Sequence, residues 1–137
     1  MPKGKYLIDT NVLIYHVAGS KESTDFINKV LAKKSLNISI ITKIEFLGWN
    51  KHTPDGFQKC KELIESANVY PLDEDVAQKV IELKRTVRIK LADAVIAATA
   101  ILNNLTLATI NISDFKMIED IEVVNPLSLP PASDDQK

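Results

Sequence analysis

Four acidic residues stand where their surroundings call for chemistry: Asp9, Glu45, Asp93 and Asp114. Asp9 ends the apolar run Tyr6-Leu7-Ile8, and Glu45 lies one turn into an apolar pattern that follows a second such run. Asp93 is the lone charge in the stretch 91–102, and Asp114 follows the apolar run 105–110. Carboxylates brought close together in a low-dielectric site repel one another. Apart from Lys43, the chain places no obvious cation among them. A hard divalent ion resolves that repulsion. Mg²⁺ takes oxygen ligands, uses few direct carboxylates and keeps several waters, and Mn²⁺ accepts the same donors. An ion held this way activates water and stabilises charge on a phosphoryl group, so metal-dependent phosphodiester hydrolysis is the natural reaction class.

Each acid also has a plainer explanation. Asp9 or Thr10 fits a helix cap, a role worth roughly 0.5–2 kcal/mol. Thr42-Lys43-Ile44-Glu45 matches a capping box, in which Glu45 would only close the first turn of a helix. Asp114 fits a cap as well. Asp93 is hardest to explain this way, because an ionised carboxylate in apolar surroundings costs several kcal/mol unless it is paired or binds a metal. Its place in the first turn of a helix eases that cost.

The acids are useful only if the elements around them converge. Hydrophobic patterning predicts strands at 5–8, 37–41, 68–72, 105–110 and 121–124, the third weakened by Pro71. Helices are predicted at 10–17, 22–33, 42–49 and 91–102, the last being apolar all round and therefore buried. Thr53-Pro54-Asp55-Gly56 reads as a turn, followed by a helix with Phe57, Cys60, Leu63, Ile64 and Ala67 on one face. Asp73 reads as the N-cap of a helix carrying Val76, Ala77, Val80 and Leu83, and 113–119 as a helical turn. Strands alternating with helices define an α/β fold with a mainly parallel central sheet and helices on both faces. In such a sheet the strand ends share one edge, where ligands bind, so the four carboxylates can meet there. Residues 1–127 form one domain, and 128–137 read as a flexible acidic tail.

A chain of 137 residues with 45% hydrophobic content fits one domain with a real core. The formal net charge of −1 implies no polyanion partner by itself, though a local basic patch is compatible with it. The single cysteine forbids an internal disulfide and points to a reducing, cytoplasmic setting. No signal peptide is visible, and no apolar run approaches the ~20 residues of a membrane span. His16 and His52 lack zinc-ligand spacing. Cys60 reads as core, and Phe46 and Trp49 as core or subunit interface. The basic run Lys84, Arg85, Arg88 and Lys90 leads into the Asp93 segment. It suits either a solvated helix end that complements the dipole or a contact to nucleic-acid phosphates. An acidic site alone would repel RNA.

The residues in order carry a family resemblance. Leu7-Ile8-Asp9-Thr10-Asn11, Thr42-x-x-Glu45, Ala92-Asp93-Ala94-Val95-Ile96-Ala97-Ala98-Thr99-Ala100 and Leu107-Ala108-Thr109-Ile110-Asn111-x-x-Asp114-Phe115 resemble the PIN domain, in particular the VapC-type toxins of bacterial toxin–antitoxin pairs. The resemblance runs from about Lys5 to Leu127. It implies a Mg²⁺- or Mn²⁺-dependent endoribonuclease with Asp9, Glu45, Asp93 and Asp114 in its acidic pocket, the metal held by Asp9, Asp93 and Asp114. It further implies a supporting polar role for Thr109, with Asn11 and Asn111 as additional supports, a homodimer, and a cognate antitoxin that blocks the pocket. Two positions depart from the commonest pattern. Leu91-Ala92 precede Asp93 where a Pro often stands, which alters only the helix entry. Ile110 replaces a frequent Arg and removes a positive charge near the site. A non-catalytic PIN-like binding module is the alternative, against which the retention of all four acids argues. A haloacid-dehalogenase-type phosphotransferase wants a second Asp where Asn11 stands, and a receiver domain places its acids differently.

Overall fold

Residues 5–128 are described by the structure, a computed structural model. Five short strands form one sheet: β1 (Tyr6–Ile8), β2 (Asn37–Ser39), β3 (Asn68–Tyr70), β4 (Thr106–Ala108) and β5 (Val123–Val124). Their order is β3-β2-β1-β4-β5, and every pairing is parallel. The three central strands β2, β1 and β4 are buried almost throughout, so β1 reads as an apolar run, whereas β2 buries the polar Asn37 and Ser39 on either side of Ile38.

Six helices cover both faces: α1 (Thr10–Val17), α2 (Lys21–Ala32), α3 (Ile40–Leu47), α4 (Pro54–Glu65), α5 (Glu74–Thr86) and α6 (Leu91–Leu102). Successive strand residues point to opposite faces, and the core divides accordingly. Leu7 and Leu107 pack with α5 and α6, around Val80, Leu83, Val95 and Ile96. Ile8 and Ala108 pack on the other side with α1, α2, α3 and α4, around Leu13, Ile27, Phe46 and Cys60. Helix α6 is buried without a break from Ala94 to Ala100. Its small alanines let α5, α3 and the sheet approach together. The helix reaches the surface at its two ends, and Asp93 is in its first turn.

Element boundaries moved where a cap outcompeted an apolar pattern. Ile40 and Ile41 were expected in the second strand but open α3, because the Ser39 side chain accepts from Ile41 N at 3.0 Å. Thr42 is therefore an interior helical residue, fully buried, and the Thr42–Glu45 capping box does not form. Thr53-Pro54-Asp55-Gly56 is the first turn of α4 rather than a separate turn, with Thr53 as N-cap and Pro54 at the position whose missing N–H costs nothing. The stretch 113–119 contracts to a 3-10 turn, Ile112–Phe115. A second 3-10 turn, Pro126–Ser128, lies at the start of the expected tail. The rest of that tail lies outside the described residues. Among the described residues no helix is long and apolar enough to cross a membrane.

Candidate active site

The carboxyl edge of the sheet carries the site. Asp9 directly follows β1 and is the N-cap of α1, so the plain and the functional explanations of this residue coincide. Its backbone N–H donates to Ala108 O at 2.9 Å, tying it to β4. Its carboxylate accepts from Thr10 N at 2.7 Å and from Thr109 Oγ1 at 2.7 Å. Thr109 is fully buried one residue past the end of β4, where its own N–H donates to Val124 O. The Thr109 hydroxyl also meets Asn11 Nδ2 at 3.2 Å and accepts from Asn111 N at 3.1 Å. Asn11 Oδ1 accepts from Ile110 N, and Asn11 Nδ2 stands 3.5 Å from Asp9 Oδ2. A single knot of side chains therefore locks the β4 exit loop onto the start of α1. Asn111 takes part through its backbone. Ile110, where a cation was missed in the sequence, contributes its N–H.

Glu45 reaches the same edge from α3. Its Oε1 accepts from Thr10 Oγ1 at 2.6 Å, and Thr10 Oγ1 also lies 3.1 Å from Thr42 Oγ1. This Thr10–Thr42–Glu45 arrangement was not foreseen. Thr10 adjoins Asp9 in sequence, but its partners are 32 and 35 residues away, so only the fold reveals it. It also explains why a threonine occupies the buried position 42.

Asp93 and Asp114 complete the edge from α6 and the 3-10 turn. Coulomb repulsion links the acids through Asp9 and Asp93: Asp9 feels Asp93 and Glu45, and Asp93 feels Asp114 and Glu45. Burial pushes the Asp9 carboxyl up from 3.8 to about 6, against the lowering effect of the Thr109 and Thr10 hydrogen bonds, and Asp93 and Glu45 raise it further. The Asp93 carboxyl is also raised, first by burial, then by Asp114 and Glu45, while Lys90 acts in the opposite direction. Four acids from four separate segments thus share one electrostatic site.

Its donors are hard oxygens. Among the described residues, no three His, Cys, Asp or Glu side chains come close enough to hold one ion together. That spacing is wrong for a dehydrated, fully protein-ligated zinc. It fits Mg²⁺ or Mn²⁺, which bind through one or two carboxylates and keep their remaining waters. The two histidines are elsewhere: His16 Nδ1 meets Thr24 Oγ1, and His52 Nε2 meets Phe46 O. Phe46 and Cys60 are core residues, while Trp49 lines a separate cavity of about 760 Å³ with His52 and Leu63.

Of the four basic residues noted in the sequence, Lys84, Arg88 and Lys90 line a cleft of about 440 Å³ together with Asp93, Ser113 and Asp114. Arg85 is not part of that lining. Lys84 Nζ donates to Ile89 O at 2.7 Å, so this lysine braces the linker between α5 and α6.

A parallel sheet of this order with an acidic pocket at its carboxyl edge defines a known class. The PIN domain family model matches residues 6–119, and the chain belongs to the PIN domain family. Among its relatives is Ribonuclease VapC10 of Mycobacterium tuberculosis, 30% identical over 129 residues, covering 90% of this chain and 94% of the relative. A solved structure described as a toxin-antitoxin complex from Klebsiella pneumoniae is 31% identical, with a TM-score of 0.74, over 89% of this chain and 98% of the other. DNA-bound VapBC from Salmonella typhimurium shares the fold at a TM-score of 0.76 and 21% identity, over 89% of this chain and 98% of that one.

Proposed function

We propose that this chain is a Mg²⁺- or Mn²⁺-dependent endoribonuclease, the toxin of a toxin–antitoxin pair. The observation that carries the reading is the convergence of Asp9, Glu45, Asp93 and Asp114 on one sheet edge of a PIN fold. The resemblance to a protein named a ribonuclease supports the activity, and the likeness to a toxin-antitoxin complex supports the partner. A divalent cation at this edge would neutralise the acids, acidify a water and stabilise charge on the phosphoryl group.

The chain's own contribution is placement. Asp9, Asp93 and Asp114 would hold the ion, one or two of them directly and the rest through its waters, with Asp9 the most rigid of the three because two hydrogen bonds at 2.7 Å fix both its oxygens. Thr109, supported by Asn11 and by Asn111 N–H, keeps Asp9 oriented with its carboxylate toward the pocket. Glu45, held by Thr10, would accept the proton of the attacking water. Attack would then proceed in line with the leaving oxygen, and the ionised Asp93 at the start of α6 is tolerated because the helix N-terminus is positive.

The same reading makes the protein a cytoplasmic homodimer. Ile44 on α3 and Leu91 on α6 are 61% and 62% exposed, large apolar side chains that a second copy would cover. The test is incubation of purified, antitoxin-free protein with structured RNAs in Mg²⁺ or Mn²⁺, then in EDTA. Cleavage that needs the metal and is lost in Asp93→Asn is the expected result. Cleavage independent of metal, or none of any RNA, contradicts the proposal.

A further inference from the structure

We propose that Arg88 and Lys90 form a phosphate subsite beside the acidic pocket, holding a backbone phosphodiester of single-stranded RNA next to the one that is cut. This deepens the nuclease reading above and rests on it. An acidic pocket repels a polyanion, so a substrate needs cations near the point of attack. The cleft that Asp93 and Asp114 line supplies them.

Local geometry aims both side chains at that cleft. Helix α5 ends at Val87 in an extended conformation, and Lys90 is extended too. Along such a segment alternate residues share a side. Ile89 is buried in the core against the α6 side of the sheet, and Arg88 and Lys90 are exposed on either side of it. The Lys84 ammonium grips Ile89 O and holds the segment in place, so the two cations are pre-positioned rather than loose. Among the described residues neither Arg88 nor Lys90 is engaged in a salt bridge. Arg88 brings a planar fork suited to two phosphate oxygens, and Lys90 a compact point charge.

Helix stability does not account for Lys90. Asp9, Ser20, Ser39, Thr53 and Asp73 cap the other five helices with a side-chain acceptor, whereas Lys90 provides none to α6. A cation at the positive end of a helix dipole is unfavourable. Charge for the substrate explains the choice. Only two of the four basic residues in this run then act on RNA. Lys84 is a brace, and Arg85 is not part of the cleft lining.

The test uses the full chain and the shortest RNA oligonucleotide it cleaves, prepared with and without one extra phosphate at either end. In the parent protein one of the two added phosphates raises kcat/KM about tenfold, the scale of a charge-assisted contact. In the Arg88→Gln/Lys90→Gln double variant, assayed at saturating Mn²⁺, that gain is lost through KM. The slope of log kcat/KM against log salt becomes shallower by about 0.7, the value for one phosphate of a single strand. Arg85→Gln changes none of these. A phosphate gain that persists in the double variant, or an equal loss in Arg85→Gln, overturns the subsite. A parent protein that cuts no RNA overturns the nuclease reading instead. Anisotropy with a fluorescent single-stranded RNA, which such a protein leaves intact, then tests the subsite alone: binding about tenfold weaker in the double variant supports it, and equal binding overturns it.

Discussion

Asp9→Asn separates an ionised helix cap from a strained metal ligand. Asp9 is only 6% exposed, and its carboxyl sits at about 6 in the folded protein against an ordinary 3.8. A carboxyl raised on folding binds its proton more tightly in the folded state than in the unfolded one. Its stabilising effect is therefore present at low pH and is lost as pH rises between 3.8 and about 6. At 1.36 kcal/mol per pH unit the full loss is about 3 kcal/mol, of which about 1 is already lost by roughly pH 4.5. Asparagine retains the cap acceptor for Thr10 N and carries no charge. It forfeits the bond from Thr109, a cost of about 1 kcal/mol. The stability of Asp9→Asn relative to the parent should consequently rise by about 2 kcal/mol between roughly pH 4.5 and pH 8. The variant should be the more stable protein at the upper end. Urea unfolding in EDTA at a series of pH values measures this. With Mg²⁺ at about ten times its Kd, the parent alone should regain about 1.4 kcal/mol. A stability difference that does not change with pH, or that moves in favour of the parent as pH rises, would refute the reasoning and make Asp9 an ordinary cap.

Other expectations follow from the same contacts. Thr109→Val keeps the shape of the side chain but removes the donor to Asp9 and the acceptor for Asn11 and Asn111. It should destabilise by about 1–3 kcal/mol and weaken Mn²⁺ binding roughly 10- to 100-fold, read by calorimetry. Asp93→Asn should abolish cleavage without lowering the melting temperature in EDTA, because it relieves repulsion from Asp114 and Glu45. A clear fall in that temperature would make Asp93 a structural partner. Thr10→Val frees Glu45 from its 2.6 Å hydrogen bond, so kcat should fall about 10-fold or more with KM unchanged, and Thr10→Ser should restore it.

The acids and their order were legible because buried parallel strands read as apolar runs and each run ends at a polar residue on the functional edge. Asp93 was legible for a further reason: a charge in an otherwise apolar helix needs an explanation. Local competition was harder to read. Ile40-Ile41 has strand character on its face, and only the Ser39 cap decides for helix. Thr53 and Pro54 begin a helix with residues that equally well make a turn. Contacts between distant segments carried no local signal at all. Nothing in the sequence joins Thr10 to Glu45, or separates Lys84 the brace from Arg88 and Lys90 on the open side of the same linker. The role of Thr109 came through resemblance, and its physical content, a buried hydroxyl shared by Asp9, Asn11 and Asn111, became visible in the fold.

The central claim is that Asp9, Glu45, Asp93 and Asp114 make one hard-cation site. Anomalous diffraction from crystals soaked in Mn²⁺ tests it most directly. The account predicts a manganese peak bounded by the carboxylates of Asp9, Asp93 and Asp114, absent from crystals of Asp9→Asn. No peak at that edge under saturating Mn²⁺, or ordered manganese only at a different part of the surface, would contradict it.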